Sequence, residues 1–594
     1  MRPKTLLFIV ALSAAFLVFA ARWFLASASE FSLWDDEGFV VLMLRDYLSG
    51  NVIYSGFYAQ YGPFAFQALA LLHRLLGLAP SNDSVRISSL LVYAATFSVW
   101  TGIAVSLLRS RAIVILFALG LSQHLMAGTI EPGHPQDVGA LLVGLCAAAA
   151  LLQRTASAPR LKRWAAIAGG AALGGLLLTK LNVGVFVAAA LLFQAPLDRY
   201  GWRFWRFGIL LLPFLLMQHR LHDEWVGLFC LFESVGLLLF LGATLDSSEP
   251  AEGIAAPWLG GLIAAMTIIL GIEMVHGATP RTLADGIIFQ HLHFPSQATQ
   301  EGFFPVDALY VAALSVVVFL LLRLSRRQTW SRPAVEACKI IVAATGLAYA
   351  IGLGADYVLA YGLTWVWLLI TPKRVDRTWM TFVGALALLL PLQAYPVAGT
   401  QAYLGSVPLT LLCALTFDDL VADSTSSVIH AAMIVLAAFG LLYECRALNT
   451  LSARYAAQTP LALPGASLLR LPAAEVDEYR RLTERMQQFD AFVSEPGLLS
   501  LYAWTDRSPP THWNAGAWMR LIVPERQEEI VAALQRAAHP GAAVHPRRAA
   551  FWTEWREDFS SPLAGYLEQS CSTIETIGPW QVRDCSSASH KAHE

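Results

Sequence analysis

Apolar runs of roughly 15 to 25 residues recur from the N-terminus to about residue 445, each long enough to cross a hydrocarbon core about 30 Å thick as a helix. The first, Leu6 to Leu25, follows the basic start Arg2 and Lys4. Ala26-Ser27-Ala28 after it has the look of a signal-peptide cleavage site. The length of the run, and the further spans that need a starting orientation, favour an uncleaved anchor. Runs over 85–108, 112–128, 137–153, 164–179, 183–196, 206–218, 225–243, 256–274, 308–324, 337–353, 355–371, 379–395, 406–421 and 428–445 bring the expected total to about 13 to 15 spans.

Alternation of these runs is tested by the distribution of Lys and Arg, which concentrate in cytoplasmic loops. From a cytoplasmic start, the inner loops collect Arg109 and Arg111, the cluster Arg154 to Arg163, the cluster Arg199 to Arg206, the stretch Arg323 to Lys339, and Lys373 to Arg377. Outer loops keep only Arg22, Arg45, Arg74, Arg86, Lys180, Arg220 and Arg281. An odd span count then places 446–594 on the outer side. That segment mixes charge with amphipathic periodicity. Val476, Tyr479, Leu482, Met486 and Phe489 repeat at helical spacing, and Pro524 to Ala538 reads as a second helix with proline in its first turn. Ala491-Phe492-Val493 and Thr573 to Ile577 read as strands. The expected architecture is mainly α, a polytopic transmembrane helical bundle over 1–445 with a small C-terminal α/β extracytoplasmic domain over 446–594.

Composition narrows the class. The 594 residues carry 41 Lys and Arg against 43 Asp and Glu, and are 56% hydrophobic and 14% charged. An ordinary soluble domain carries about 25% charge, so a purely soluble enzyme is excluded, as is intrinsic disorder. Without a basic excess, nucleic acid is not an expected partner. Of seven cysteines, Cys571 and Cys585 are the two in the outer segment. They flank an expected strand-turn-strand around Gly578-Pro579, and an oxidising compartment permits a disulfide between them.

Against an apolar background, acids beside the membrane are functional candidates. Loop 28–84 opens with Trp34-Asp35-Asp36-Glu37-Gly38. An amphipathic stretch Phe39 to Leu48 follows, suited to the membrane interface, then Gly50 to Tyr54, then Tyr61-Gly62-Pro63, then an apolar helix interrupted by His73 and Arg74. A second outer loop reads Glu131-Pro132-Gly133-His134-Pro135-Gln136-Asp137. Thr179-Lys180-Leu181-Asn182-Val183-Gly184 reads as a break between two helices, and Gln393 to Gln401 is a late polar loop. A second acidic pair, Asp223-Glu224, lacks comparable surroundings.

This order of span, Asp-Glu pair, interfacial helix and Tyr-Gly-Pro resembles the GT-C class of membrane glycosyltransferases, in the branch of protein O-mannosyltransferases and lipid A aminoarabinose transferases (family 39-like). The resemblance covers most of 1–445 in layout and rests mainly on Asp36-Glu37. Asp35 is an additional acid beside that pair. Tyr61-Gly62-Pro63 stands where aminoarabinose transferases carry Lys-Pro-Pro, so a phosphate contact from that lysine has no counterpart here.

The resemblance implies an inverting enzyme of the bacterial inner membrane that moves a sugar from a polyprenyl-phosphate donor to a lipid, glycan or protein acceptor at the outer leaflet. Asp36 is then the base, and Glu37 orients it or binds the acceptor. Such a displacement needs one base for the acceptor proton and donors around the departing phosphate. Asp35, Tyr61, Glu131, His134, Lys180, Arg220, Arg281 and Tyr395 are the candidates for substrate binding. Lys180 and Arg220 would meet phosphate, and Arg281 lies with His291 and His293 in a long outer loop, 275–307, expected to cover the site. A divalent cation at Asp35, Asp36 or Glu37 is left open and no metal is assigned. The rival reading is a transporter or flippase of lipid-linked glycans. Transporters are often built from paired repeats, whereas the chain shows one break at Lys180 to Gly184 without a matching second half.

Overall fold

The computed structural model describes the chain except for residues 1–2, 33, 194–204, 245–254, 291–303, 326–330, 371–373, 395–399, 422–426, 514–522, 552–560 and 587–594. Helices dominate. The first eight that matter for the site are α1 (Pro3–Ala28), α2 (Asp36–Leu48), α3 (Pro63–Leu76), α4 (Asn82–Leu107), α5 (Arg111–Leu125), α6 (Pro135–Thr155), α7 (Pro159–Leu177) and α8 (Leu181–Leu192). Among the described residues, 10 helices are long and apolar enough to span a bilayer, including α1, α4, α5, α6, Glu224–Thr244, Ala255–Val275 and Tyr403–Val421.

That number is below the expected 13 to 15, and the physical reason is visible in the short runs. The stretch 206–218 breaks into pieces, Trp205–Gly208, Ile209–Leu211 and Leu212–Leu216. α8, Ala355–Leu369 and Arg377–Leu389 are apolar but short of a full crossing. α7 carries Arg160, Lys162 and Arg163 in its first two turns. The last long helix, Ser427–Ala457, runs past the expected boundary at residue 445 before the sheet residues begin.

Local sequence explains where the helices start. Ser81 and Ser84 form a reciprocal capping box at α4, with Ser84 N donating to the Ser81 hydroxyl and Ser81 N to that of Ser84. Pro63 and Pro135 occupy the first turns of α3 and α6, where a missing N–H costs nothing. One buried ion pair ties the bundle together: Arg22 of α1 bonds Glu444 of Ser427–Ala457, whose other oxygen accepts from Gln123 of α5 at 2.6 Å.

The C-terminal part contains β1 (Thr459–Pro460), β2 (Arg470–Leu471), β3 (Ala491–Glu495), β4 (Pro540–Val544), β5 (Ser572–Ile577) and β6 (Trp580–Asp584). β1 and β2 form a small antiparallel pair. The other four make one sheet in the order β3-β4-β6-β5, with β3 and β4 parallel and the rest antiparallel. The expected helices are present as Ala473–Met486 and Pro524–Arg536. Cys571 and Cys585 form a disulfide that closes the β5–β6 hairpin.

The domain sits directly on loop one. Phe31 packs edge-on against Tyr479 at 5.4 Å and meets the tilted ring of Trp504 at 5.5 Å. Phe39, Val40 and Leu44 of α2 share one buried cluster with Leu498, Leu501 and Tyr502. α2 therefore does not lie open at the interface, as its amphipathic pattern suggested. Glu37 to Leu44 and Tyr47 are all buried, because the short helix Ser500–Thr505, α3 and α4 all pack against α2.

Candidate active site

The three consecutive acids of loop one have three different fates. Asp35 has left-handed backbone (φ 49°) and caps α2, accepting from Gly38 N at 2.9 Å. Ser500 adds two further bonds to the same carboxylate, from its backbone N at 2.6 Å and its hydroxyl at 2.7 Å. Burial pushes the Asp35 carboxyl up to about 7, against the pull of these Ser500 donors. Glu37 accepts from both Nε (2.8 Å) and Nη2 (2.5 Å) of Arg86, and each side chain is 2% exposed. Burial raises the Glu37 carboxyl and the Arg86 guanidinium opposes it.

Asp36 is only half-buried, and its charge is felt at Tyr61. Helical geometry separates the acids: neighbours on a helix are rotated by about 100°. Asp36 shares a face with Phe39, whose ring meets Tyr61 at 6.3 Å, while Glu37 is turned toward α4. The expected catalytic pair is thus split. Asp36 stands at the site, and Glu37 is held by Arg86 in a structural ion pair. Asp35, expected to bind substrate, is likewise used up as a cap.

Tyr61 is brought to the α7–α8 break by backbone bonds. Gly62 N donates to Thr179 O at 3.0 Å, and Phe64 N donates to Leu178 O at 2.9 Å. The approach requires glycine, since a Cβ on Gly62 would fall 2.1 Å from Leu178 O. The Tyr61 phenol lies 2.6 Å from Nε2 of His134. His134 caps α6, its Nδ1 accepting from Gln136 N at 3.1 Å. In the neutral imidazole the proton then sits on Nε2, which donates to Tyr61 Oη. Burial and the neighbouring Lys180 charge hold His134 well below its usual range, so the neutral ring is the form present near neutral pH. Tyr61 is correspondingly raised by burial and by the charges of Asp36 and Glu131, and keeps its own proton to donate.

Lys180 stands in the break itself. Its Nζ donates to Gln401 Oε1 at 2.5 Å and to Gln136 Oε1 at 3.3 Å. Both partners are neutral amide oxygens. Burial lowers the ammonium to about 7 and Glu131 acts to raise it. Asn182 fixes the other side of the break, donating to Gln393 O at 3.0 Å, and Gln393 Nε2 donates to Gln401 O at 3.3 Å. Asp36, Tyr61, Glu131, His134, Gln136, Lys180 and Gln401 therefore form one cluster, drawn from α2, the loop before α3, the start of α6, the α7–α8 break and the turn before Tyr403–Val421.

Other expected site residues lie apart. Arg220 ends a short turn before Glu224–Thr244 and has no bond to this cluster. Arg281 faces solvent, 93% exposed, with Asp285 at 3.8 Å. Its segment does pack on loop one, where Gln290 Nε2 donates to Ala59 O at 2.9 Å. Tyr395, with His291 and His293, lies outside the described residues. Among the described residues no group of three or more His, Cys, Asp or Glu could hold a metal ion. Two of the three acids considered for a cation have other partners, Asp35 in Ser500 and Glu37 in Arg86. Sequence reasoning missed Ser500 and the role of Arg86. Arg86 carried a signal all the same, as a basic residue in an outer loop.

No family model and no curated protein matches this sequence. Solved structures similar to the chain include ArnT from Cupriavidus metallidurans bound to undecaprenyl phosphate, at 12% identity and a TM-score of 0.43, covering 98% of each chain. The same protein in its apo state gives 14% identity and a TM-score of 0.40, over 99% of each chain. The archaeal oligosaccharyltransferase AglB from Archaeoglobus fulgidus, in complex with an inhibitory peptide and a dolichol-phosphate, gives 12% and 0.43, over 98% of this chain and 74% of that one.

Proposed function

We propose that the chain is a membrane glycosyltransferase that takes a sugar from a polyprenyl-phosphate donor. The observation that supports this most directly is the placement of Lys180. An ammonium in a helix break, held by two neutral amides beside hydrogen-bond donors, is suited to an anion such as a lipid phosphate. A half-buried carboxylate, Asp36, stands beside the same cluster through Tyr61. In the reaction, Asp36 takes the proton of an acceptor hydroxyl or amine. The freed electron pair attacks the anomeric carbon from the side opposite the phosphate. The bond from that carbon to the phosphate oxygen breaks, and the polyprenyl phosphate leaves with its electrons. Lys180 and the Tyr61 hydroxyl stabilise the charge that grows on the leaving oxygen. One base suffices, because a phosphate leaves without prior protonation.

The orientation goes with this reading: N-terminus cytoplasmic, site and C-terminal domain outside, in a bacterial plasma membrane. Cysteines introduced at exposed Ser508 and Ser157 test it, the first labelling from outside intact cells and the second only after permeabilisation. The functional test compares envelope glycans and glycolipids, by mass spectrometry, in cells carrying the wild-type chain or Asp36→Asn. Loss of one glycosylated product at equal protein level supports the transferase. An unchanged envelope profile counts against it. Binding of undecaprenyl phosphate by the purified protein, weakened in Lys180→Ala, tests the phosphate site separately.

A further inference from the structure

The Asp36 carboxylate belongs to the first residue of a helix whose start is fixed by the outer domain. Asp35, the residue before it, adopts left-handed backbone, a conformation that aspartate tolerates when its side chain bonds locally. Three donors hold that carboxylate: Gly38 N, Ser500 N and Ser500 Oγ. Gly38 is the residue that lets Ser500 come so close, since a Cβ there would lie 2.2 Å from Ser500 N. Ser500 is itself held. Its hydroxyl accepts from Asn82 Nδ2 at 2.9 Å, and Asn82 Oδ1 accepts from Trp504 Nε1 at 3.0 Å. One residue after Asp36, Glu37 is fixed to Arg86. Asp36 is therefore bracketed by two clamps, one reaching α4 and the other reaching the outer domain.

We infer that Ser500 is a positioning residue for Asp36, acting through Asp35, so that the C-terminal domain sets the direction of the carboxylate at the site. The inference rests on Asp36 being the base. The side-chain partners of Ser500 are Asp35 and Asn82, neither of which belongs to the site cluster. Removing its hydroxyl leaves the backbone bond from Ser500 N to Asp35 in place, so α2 still forms and the domain stays docked. What is lost is one of the three bonds that set the rotation of Asp35 and of the helix start, together with the bond from Asn82 Nδ2 to the same hydroxyl. A base displaced by even about 1 Å can lose about a hundredfold in rate while binding persists.

The test uses the full chain in isolated membranes, with polyprenyl-phosphate sugars extracted from the same cells as donor. Turnover is read on the product that disappears in Asp36→Asn. Ser500→Ala is expected to lower the maximal rate about tenfold or more, with half-saturation by donor and binding of undecaprenyl phosphate within about threefold of wild type. Ser500→Thr, which keeps the hydroxyl, is expected to recover most of the rate. A wild-type rate in Ser500→Ala, with Asp36→Asn inactive, overturns the positioning role and leaves the transferase reading intact. Equal losses of rate, undecaprenyl-phosphate binding and thermal stability in Ser500→Ala, without recovery in Ser500→Thr, overturn it in favour of a purely structural residue. If Asp36→Asn keeps full product, the base assignment itself fails, and this inference with it.

Discussion

Glu37 and Arg86 form a buried, two-pronged ion pair between the first turn of α2 and the second turn of α4, with both side chains 2% exposed. Removing one partner from such a pair leaves the other charge buried and alone, at a cost of about 3 to 5 kcal/mol. Arg86→Ala is therefore expected to express poorly and to unfold at a markedly lower temperature in detergent, by differential scanning fluorimetry. Glu37→Gln keeps a hydrogen-bond acceptor but leaves the guanidinium uncompensated, so it too should be destabilised. Two variants with wild-type melting temperatures would show that the pair is not a structural clamp.

The contact between Tyr61 and His134 predicts coupled effects. His134 donates to the phenol oxygen and so fixes where the phenol proton can go. Tyr61→Phe removes a donor expected near the leaving phosphate, and losing one such donor costs about 10²- to 10³-fold in rate. His134→Ala leaves the phenol but frees its orientation. The double variant should be less impaired than the sum of the single ones, with a coupling of about 0.5 to 3 kcal/mol. Strict additivity in a double-mutant cycle on turnover would show that the two side chains act independently.

These clamps mark where the sequence was readable. Spans, the two amphipathic outer helices and the Cys571–Cys585 hairpin follow from hydropathy period, proline placement and cysteine position. The α7–α8 break follows from a lysine interrupting an apolar run. Within the Asp35-Asp36-Glu37 run, sequence alone gives no means of choosing among neighbours, because the choice is made by partners more than 40 residues away in one case and more than 460 in the other (|i−j| 49 for Arg86, 465 for Ser500). The basic residues that the sequence assigns to outer loops tell the same story. Arg22, Arg45, Arg86 and Arg281 violate the expected charge distribution, and each has a carboxylate partner: Glu444, Asp506, Glu37 and Asp285. Lys180 is bonded to amides instead. That difference of partner was invisible before the fold.

Gly62 offers a test of how tightly the site is assembled. Its N–H reaches Thr179 O, and any Cβ would strike the Leu178 carbonyl, which is backbone and cannot swing aside. Gly62→Ala must push the Tyr61 loop away from the α7–α8 break, with an overpacking cost of about 1 to 3 kcal/mol. Because Tyr61 and Lys180 then separate, binding of undecaprenyl phosphate should weaken more than melting temperature falls. If isothermal titration in detergent shows unchanged affinity, the two segments do not jointly build the anion site.

The ammonium of Lys180, brought down to about 7 by burial against the raising effect of Glu131, makes anion binding depend on pH. Between about pH 7 and about pH 10.5 the unfolded chain holds this proton and the folded chain does not, so the Lys180 contribution to stability rises with pH across that window. Anion binding runs the other way, because only the protonated form attracts a phosphate. A phosphate monoester also gains charge near about pH 6, which strengthens its binding to any fixed cation as pH rises. Lys180→Arg separates the two effects, since its guanidinium stays charged throughout. The ratio of wild-type to Lys180→Arg affinity for undecaprenyl phosphate should therefore fall from about pH 6 to about pH 9. His134 is already neutral over this range and adds no step of its own. Lys180→Met should bind weakly at both ends. A ratio that stays flat with pH would show that the lysine proton is not linked to binding, and would remove Lys180 from the phosphate site.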